Sequence, residues 1–220
     1  MDTIFIPCKA SIDAKAIAKT VSKNISEKRI GLISTAQFCS NLRELKDLLE
    51  QTGTSVTMGQ GRPNVGQVLG CDALAARNCG DVEAFVYIGT GVFHPQRAAV
   101  ETGKKVYSVY PDGKMGEIID EEYVKLFNKK KMARIFKFQE AMNIGILVST
   151  KPGQNKINEA LKLKETLEKE GKSAVIIAAS ELSPTNLLGY KVDCFVSTAC
   201  PRLVEDKFGA PCVDISEILS

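Results

Sequence analysis

No stretch of this chain approaches the roughly 18 to 20 apolar residues of a membrane span, and no apolar segment near Met1 has the form of a secretory leader. A cytoplasmic location and no membrane partner are therefore expected. An excess of one charge sign is also missing: 29 Lys and Arg stand against 26 Asp and Glu, a net charge of +3. Neither a basic stripe for nucleic acid nor an acidic tail stands out, so no nucleic-acid partner is expected. The longest lysine run, Lys129 to Lys131, reads as a solvated part of an interdomain connection. There is no CxxC pair among the seven cysteines, and only one histidine, His94. An odd cysteine count without a leader argues against a disulfide framework and for reduced thiols. Metal ligation is then the alternative to inert burial.

What is present is an ordinary globular composition, 44% hydrophobic and 25% charged over 220 residues. That length suits one large domain or two small ones. An apolar strand at Ile30 to Ser34 is followed by a helix from about Asn41 to Glu50, where Leu42, Leu45, Leu48 and Leu49 share a face. A strand at Ser55 to Met58 comes next. The same order returns as a strand at Asn143 to Thr150, a helix from about Lys156 to Glu170 and a strand at Ala174 to Ala178. Asp81 to Gly89 matches Lys191 to Ala199, so Phe85 corresponds to Phe195 and Ile30 to Ile144, an internal repeat of about 110 residues. Further strands, Lys104 to Val109 and Ala210 to Asp214, close the two copies.

Alternating strands and helices predict an α/β fold of two duplicated domains, each a parallel sheet with helices on both faces. Their expected bounds are 27–125 and 139–220, joined through 126–138 by a helical connection running from Tyr123 to Gln139. Ahead of them, 1–26 holds a short strand at Thr3 to Cys8 and a helix from about Ser11 to Asn24, too little for a domain.

Candidate chemistry lies where the copies differ. In the first, Gly59 to Asp72 is rich in glycine and contains Cys71; repeated glycine lets backbone approach a ligand and lets N–H groups face an anion. The second has no cysteine in the equivalent link. Its Cys200 instead follows the strand Val192 to Val196, where Cys-Pro-Arg cannot continue a central ladder and the cysteine is delivered to the strand's C-terminal end. Spacing alone does not make Cys71 and Cys200 a metal site.

Four blocks, Gly66 to Asp72, Val86 to His94, Ser149 to Gln154 and Thr198 to Arg202, resemble in order and approximate spacing the archaeal diphthamide synthesis enzyme family, over nearly the whole chain. In that family three related domains each give one cysteine to a [4Fe-4S] cluster whose open iron holds S-adenosylmethionine. A 3-amino-3-carboxypropyl radical from it is attached to a histidine of translation elongation factor two. The resemblance implies that Cys71 and Cys200 are the second and third cluster ligands. It also implies that 1–26 is the tail of a first domain whose cysteine motif has no counterpart here, which leaves Cys8, Cys39 or a partner chain as the source of another thiolate. A homodimer or a heteromer with a chain supplying that domain is expected.

For the cofactor, the candidates are Gly89, Gly91 and His94 beside the first strand end, and Lys151, Gly153, Gln154, Arg202 and Asp206 in the second copy. Lys151 to Gln154 opens a helix whose N–H groups suit a carboxylate such as that of methionine. Arg202 can fork onto the same carboxylate and Asp206 can face an amine, or both can be surface residues. His94 either lies near the cofactor or caps the next helix. Cys194 alternates into its strand as core, and Cys79 and Cys212 read as structural. A non-catalytic paralogue serving as an accessory subunit is the competing reading.

Overall fold

A computed structural model describes residues 4, 6 and 8–218, and the chain divides into units Asp2–Leu126 and Phe127–Ser220. The strand expected at Thr3 to Cys8 falls partly outside the described residues; Ile4, Ile6 and Cys8 belong to no strand.

In the first unit, α1 (Ala14–Asn24) starts later than Ser11 because Asp13 is its cap, its carboxylate accepting the Ala16 N–H at 2.9 Å. There follow β1 (Arg29–Ser34), a 3-10 turn (Ala36–Asn41), α2 (Leu42–Gln51), β2 (Ser55–Thr57), α3 (Leu74–Arg77), β3 (Ala84–Ile88), α4 (Phe93–Thr102), β4 (Val106–Val109) and β5 (Met115–Ile119). The sheet order is β2-β1-β3-β4-β5. The first four strands are parallel, as expected, but β5 runs antiparallel to β4 and makes the sheet mixed. Its cause is local. Tyr110-Pro111-Asp112-Gly113-Lys114 has the composition of a tight turn, and Tyr110 N–H closes it on the Lys114 carbonyl at 2.8 Å. One face of the sheet packs Ile17, Val21, Leu42, Leu45 and Leu49 against Ile30, Leu32, Val86 and Ile88. The other packs Ala75, Ala76, Ala98 and Ala99 against Ile33, Phe85 and Tyr87. Helices therefore cover both faces, and α1 belongs to this core.

Helix α5 (Glu121–Glu140) spans the division and buries no residue fully. The second unit continues with β6 (Asn143–Ser149), α6 (Ile157–Lys169), β7 (Ser173–Ala179), α7 (Pro184–Leu187), β8 (Cys194–Ser197), a 3-10 turn (Pro201–Glu205), β9 (Cys212–Asp214) and α8 (Ile215–Ile218). Its four strands are all parallel, in the order β7-β6-β8-β9.

The repeat extends to register. Gly31 lies opposite Phe85 and Gly145 opposite Phe195. A Cβ at Gly31 would sit 2.4 Å from the Phe85 ring, and one at Gly145 2.8 Å from that of Phe195. In both sheets a glycine on the first strand thus makes room for a phenylalanine on the third. A carboxylate is repeated too. Glu83 accepts the N–H groups of Lys28 and Arg29 at 2.9 and 3.1 Å, and Asp193 those of Met142 and Asn143 at 3.1 and 2.8 Å. These backbone bonds hold both carboxyls below their ordinary range. Among the described residues no helix is long and apolar enough to cross a membrane.

Each order places a reversal of winding between the first and third strands of its copy, β1 with β3 and β6 with β8. In such sheets the crevice outside the strands' C-terminal ends is the position for a ligand.

Candidate functional site

In the first unit the glycine-rich link after β2 folds back onto the end of β1. Ser34 donates its N–H to the Gly66 carbonyl, and Val68 donates to that of Ser34, both at 2.8 Å. Gly61 N–H is used on Asn64 and Gly66 N–H on Gly59, so these groups close the loop rather than face an anion. Buried Gln67 accepts from the Asn64 amide at 2.6 Å. The link ends in a turn in which Leu69 and Asp72 exchange backbone hydrogen bonds at 2.8 and 3.2 Å, with Gly70 and Cys71 at its tip. Asp72 anchors that turn by accepting the Leu74 N–H at 2.8 Å at the start of α3. Cys71 is exposed. A Cβ at Gly70 would meet Phe93 at 3.7 Å, which sets the turn beside the start of α4 and the loop leaving β3.

That loop holds Gly89, Gly91 and His94. At Gly89 a Cβ would lie 2.5 Å from the Tyr87 hydroxyl, so glycine there is required by the buried tyrosine. Tyr87 donates its hydroxyl to the Thr90 carbonyl at 3.3 Å, and burial pushes its pKa up to about 12. His94 lies in the first turn of α4 with its ring stacked on that of Tyr87, centroids 6.0 Å apart and planes within 7°. Burial lowers its pKa from the ordinary 6.5 and keeps the ring neutral at physiological pH. The histidine is thus packed on the sheet, and it is not the cap of α4, a place taken by Val92.

The second unit gathers more of the predicted residues. Lys151, Gln154, Cys200, Arg202 and Asp206 line one pocket of about 440 Å³. Its walls are the connections leaving the C-terminal ends of β6, β7 and β8. Ser149, Ser180, Glu181 and Ser183 line it as well. Sequence reasoning passed over the last three, because the link after β7 carries no cysteine or glycine motif to draw attention.

Two expectations change here. Lys151 to Gln154 forms a turn, closed by Gln154 N–H on the Lys151 carbonyl at 3.1 Å with Gly153 at φ +77°, and does not open the helix. Helix α6 begins at Ile157, whose N–H is taken by the Asn155 side chain at 3.2 Å. Polar side chains, not helix N–H groups, therefore face the pocket. Arg202 and Asp206 are not separate surface groups: they form a two-pronged pair at 2.9 and 3.2 Å along the 3-10 turn.

The thiols separate by environment. Cys79, Cys194 and Cys212 are buried in the sheet cores, and desolvation raises all three, Cys194 to about 12. Cys39 is half-buried, donates to the Thr35 carbonyl at 3.3 Å and is raised to about 11, which disfavours a thiolate at neutral pH. Cys200 is half-buried at the pocket wall, where its carbonyl accepts the Leu203 N–H at 3.0 Å. Cys8 is exposed and lines, with Cys39, Gln37, Asn64 and Gln67, a second cavity of about 1040 Å³ in the first unit. Cysteine thiolates are the usual ligands of iron-sulfur clusters, and of the two predicted ligands Cys71 is exposed and Cys200 half-buried. Within either unit, among the described residues, no three His, Cys, Asp or Glu side chains gather as a metal-holding set.

The family model described as "Putative diphthamide synthesis protein" matches residues 1–219. The 2-(3-amino-3-carboxypropyl)histidine synthase of Pyrococcus horikoshii is 36% identical over 94% of this chain and 61% of its own length. That of Methanocaldococcus jannaschii is 30% identical over 94% and 57%. The crystal structure of Dph2 from Pyrococcus horikoshii with a 4Fe-4S cluster superposes with a TM-score of 0.78 at 33% identity, covering 92% of this chain and 60% of that one. The chain thus spans about three-fifths of the length of these relatives. A family-model match over residues 1–219, with relatives 30% or more identical over 94% of its length, makes this chain a member of the diphthamide synthesis protein family.

Proposed function

We propose that this chain acts in diphthamide synthesis as an iron-sulfur transferase that moves the 3-amino-3-carboxypropyl group of S-adenosylmethionine to a histidine of translation elongation factor two. The observation that carries this reading is the pocket in which Cys200 shares walls with Lys151, Gln154, Arg202 and Asp206. Methionine's α-amino carboxylate is a zwitterion, and this set offers cations for its carboxylate and a carboxylate for its ammonium group. Arg202 already holds the fork geometry on Asp206. On binding, it exchanges that partner for the ligand's carboxylate while Asp206 turns to the ammonium group, so neither charge is left unpaired. Lys151 adds a second cation, and Gln154 can both donate and accept.

Cys71 and Cys200 would hold a [4Fe-4S] cluster, which when bound supplies an electron and an open iron for the sulfonium ligand. A third thiolate is still needed. Cys8 is accessible for that role and Cys39 is disfavoured by its burial; a partner chain is the other source. Because among the described residues no unit gathers three such ligands by itself, a second reading is an accessory subunit bound to a longer relative. Anaerobic purification with iron and sulfide analysis and visible absorption tests the first. Charge-transfer absorption that Cys71→Ala and Cys200→Ala each abolish is the expected result. Iron-free protein under all conditions, co-purifying with a longer relative, supports the second.

A further inference from the structure

Two acids line the pocket of the second unit, Glu181 and Asp206, and their states differ. Asp206 is held by Arg202. Among the described residues the Glu181 carboxylate takes no hydrogen bond and no ion pair. Its main chain, by contrast, is fixed. The Asn186 side chain donates to the Glu181 carbonyl at 3.3 Å, and Ser183 accepts the Asn186 N–H at 3.4 Å. Thr150 N–H ties the end of β7 to the exit of β6 through the Ala179 carbonyl at 3.0 Å. An anchored backbone therefore presents an exposed, uncompensated carboxylate at the pocket wall.

Topology gives that position a meaning. β6, α6 and β7 form one βαβ unit, with β7 parallel to β6 and beside it. In nucleotide-binding units of this kind the loop leaving the first strand faces the ligand, and an acid beyond the crossover helix accepts a ribose hydroxyl. Here Ser149 to Gln154 is that loop, and Glu181, two residues past the end of β7, stands where that acid does. The first copy has no counterpart, since its link after β2 carries no acid from Met58 through Cys71.

Spacing across the sheet agrees. In the order β7-β6-β8 the exits that carry Glu181 and Arg202 are two inter-strand spacings apart, about 10 Å. A nucleoside joined through sulfur to an amino acid spans such a width, with its amino and carboxylate groups at one end and its sugar toward the other.

We infer that Glu181 holds the ribose of S-adenosylmethionine, its two carboxylate oxygens accepting the 2′ and 3′ hydroxyls. This rests on the transferase reading of the pocket and adds a specificity residue to it: Arg202 and Asp206 read the amino acid, and Glu181 reads the sugar. The site then selects ribonucleosides with both hydroxyls free. A deoxy sugar leaves the carboxylate without a donor, and a phosphate on either hydroxyl meets it as a like charge.

Calorimetry on the 220-residue chain tests this with S-adenosylhomocysteine, which keeps the sugar and the amino acid but has no sulfonium to react. Its 2′,3′-dideoxy analogue is the second probe. Glu181→Gln should weaken binding of the first probe about tenfold, with the circular dichroism spectrum retained. Wild type should bind the dideoxy analogue weakly, and Glu181→Gln should bind it within about twofold of wild type, because the contact is already gone. Glu170→Gln, an exposed acid that does not line the pocket, should change neither. If Arg202→Gln weakens binding of S-adenosylhomocysteine and Glu181→Gln does not, the sugar is held elsewhere and this inference fails while the transferase reading stands. It fails in the same way if Glu181→Gln weakens both probes equally. No binding of S-adenosylhomocysteine to wild type, with or without reconstituted iron and sulfide, overturns both.

Discussion

Cys200 and Cys194 lie six positions apart on one strand and its exit, and burial alone separates their chemistry. Cys194 is inside the core with its thiol pushed up to about 12, while Cys200 lines a pocket. Cys71→Ala and Cys200→Ala should therefore each lose most of the bound iron, at least fivefold relative to wild type, and Cys194→Ala should retain it; iron analysis after anaerobic reconstitution decides. Arg202→Gln should weaken S-adenosylmethionine binding, measured by calorimetry, by roughly ten- to a hundredfold for one charge-assisted pair at about 1.5–3 kcal/mol. His94 makes a pH prediction. Its native pKa lies below the ordinary 6.5, so between those two values the unfolded chain binds more protons than the folded one, and stability falls as pH drops through that window. Urea midpoints at about pH 7.5 and 5.5 should show this fall, and His94→Phe, which keeps a ring on Tyr87, should reduce it. The Glu83 and Asp193 carboxyls, held low by backbone donors, lose their contribution only at more acid pH.

At the scale of elements, the paired Gly31–Phe85 and Gly145–Phe195 contacts explain why both copies keep glycine inside a central strand, where it otherwise costs stability. Neither glycine has room for a Cβ. Gly31→Ala and Gly145→Ala should each destabilise the unit they belong to by about 1–3 kcal/mol through overpacking. Chemical denaturation of the two variants checks this; a loss under about 0.5 kcal/mol would mean that the phenylalanine rings move aside freely. The hairpin carrying β5 shows a different kind of legibility. Its turn residues were plain to read in Pro111-Asp112-Gly113, but a strand as mixed as Met115-Gly116-Glu117-Ile118-Ile119 shows its pairing only once β4 offers it an edge.

For the molecule as a whole, each unit has its own sheet and its own buried clusters. Calorimetry should resolve two unfolding transitions, with Gly31→Ala lowering one and Gly145→Ala the other. A single transition displaced equally by both would show that the units unfold as one. The duplication, the α/β class and the strand-end position of the candidate residues were all legible in the sequence. Apolar runs of strand length, leucines at helical spacing and matched phenylalanines are local patterns, set by the period of each backbone. Locality also explains what was not legible. That Arg202 holds Asp206, that His94 lies on Tyr87, that the link after β7 supplies Glu181 and two serines to the pocket, and that Cys39 is desolvated, each depend on segments brought together in the fold. Burial and pairing are properties of those neighbours, so only the tertiary structure could decide which of seven cysteines are buried and which charges line a pocket.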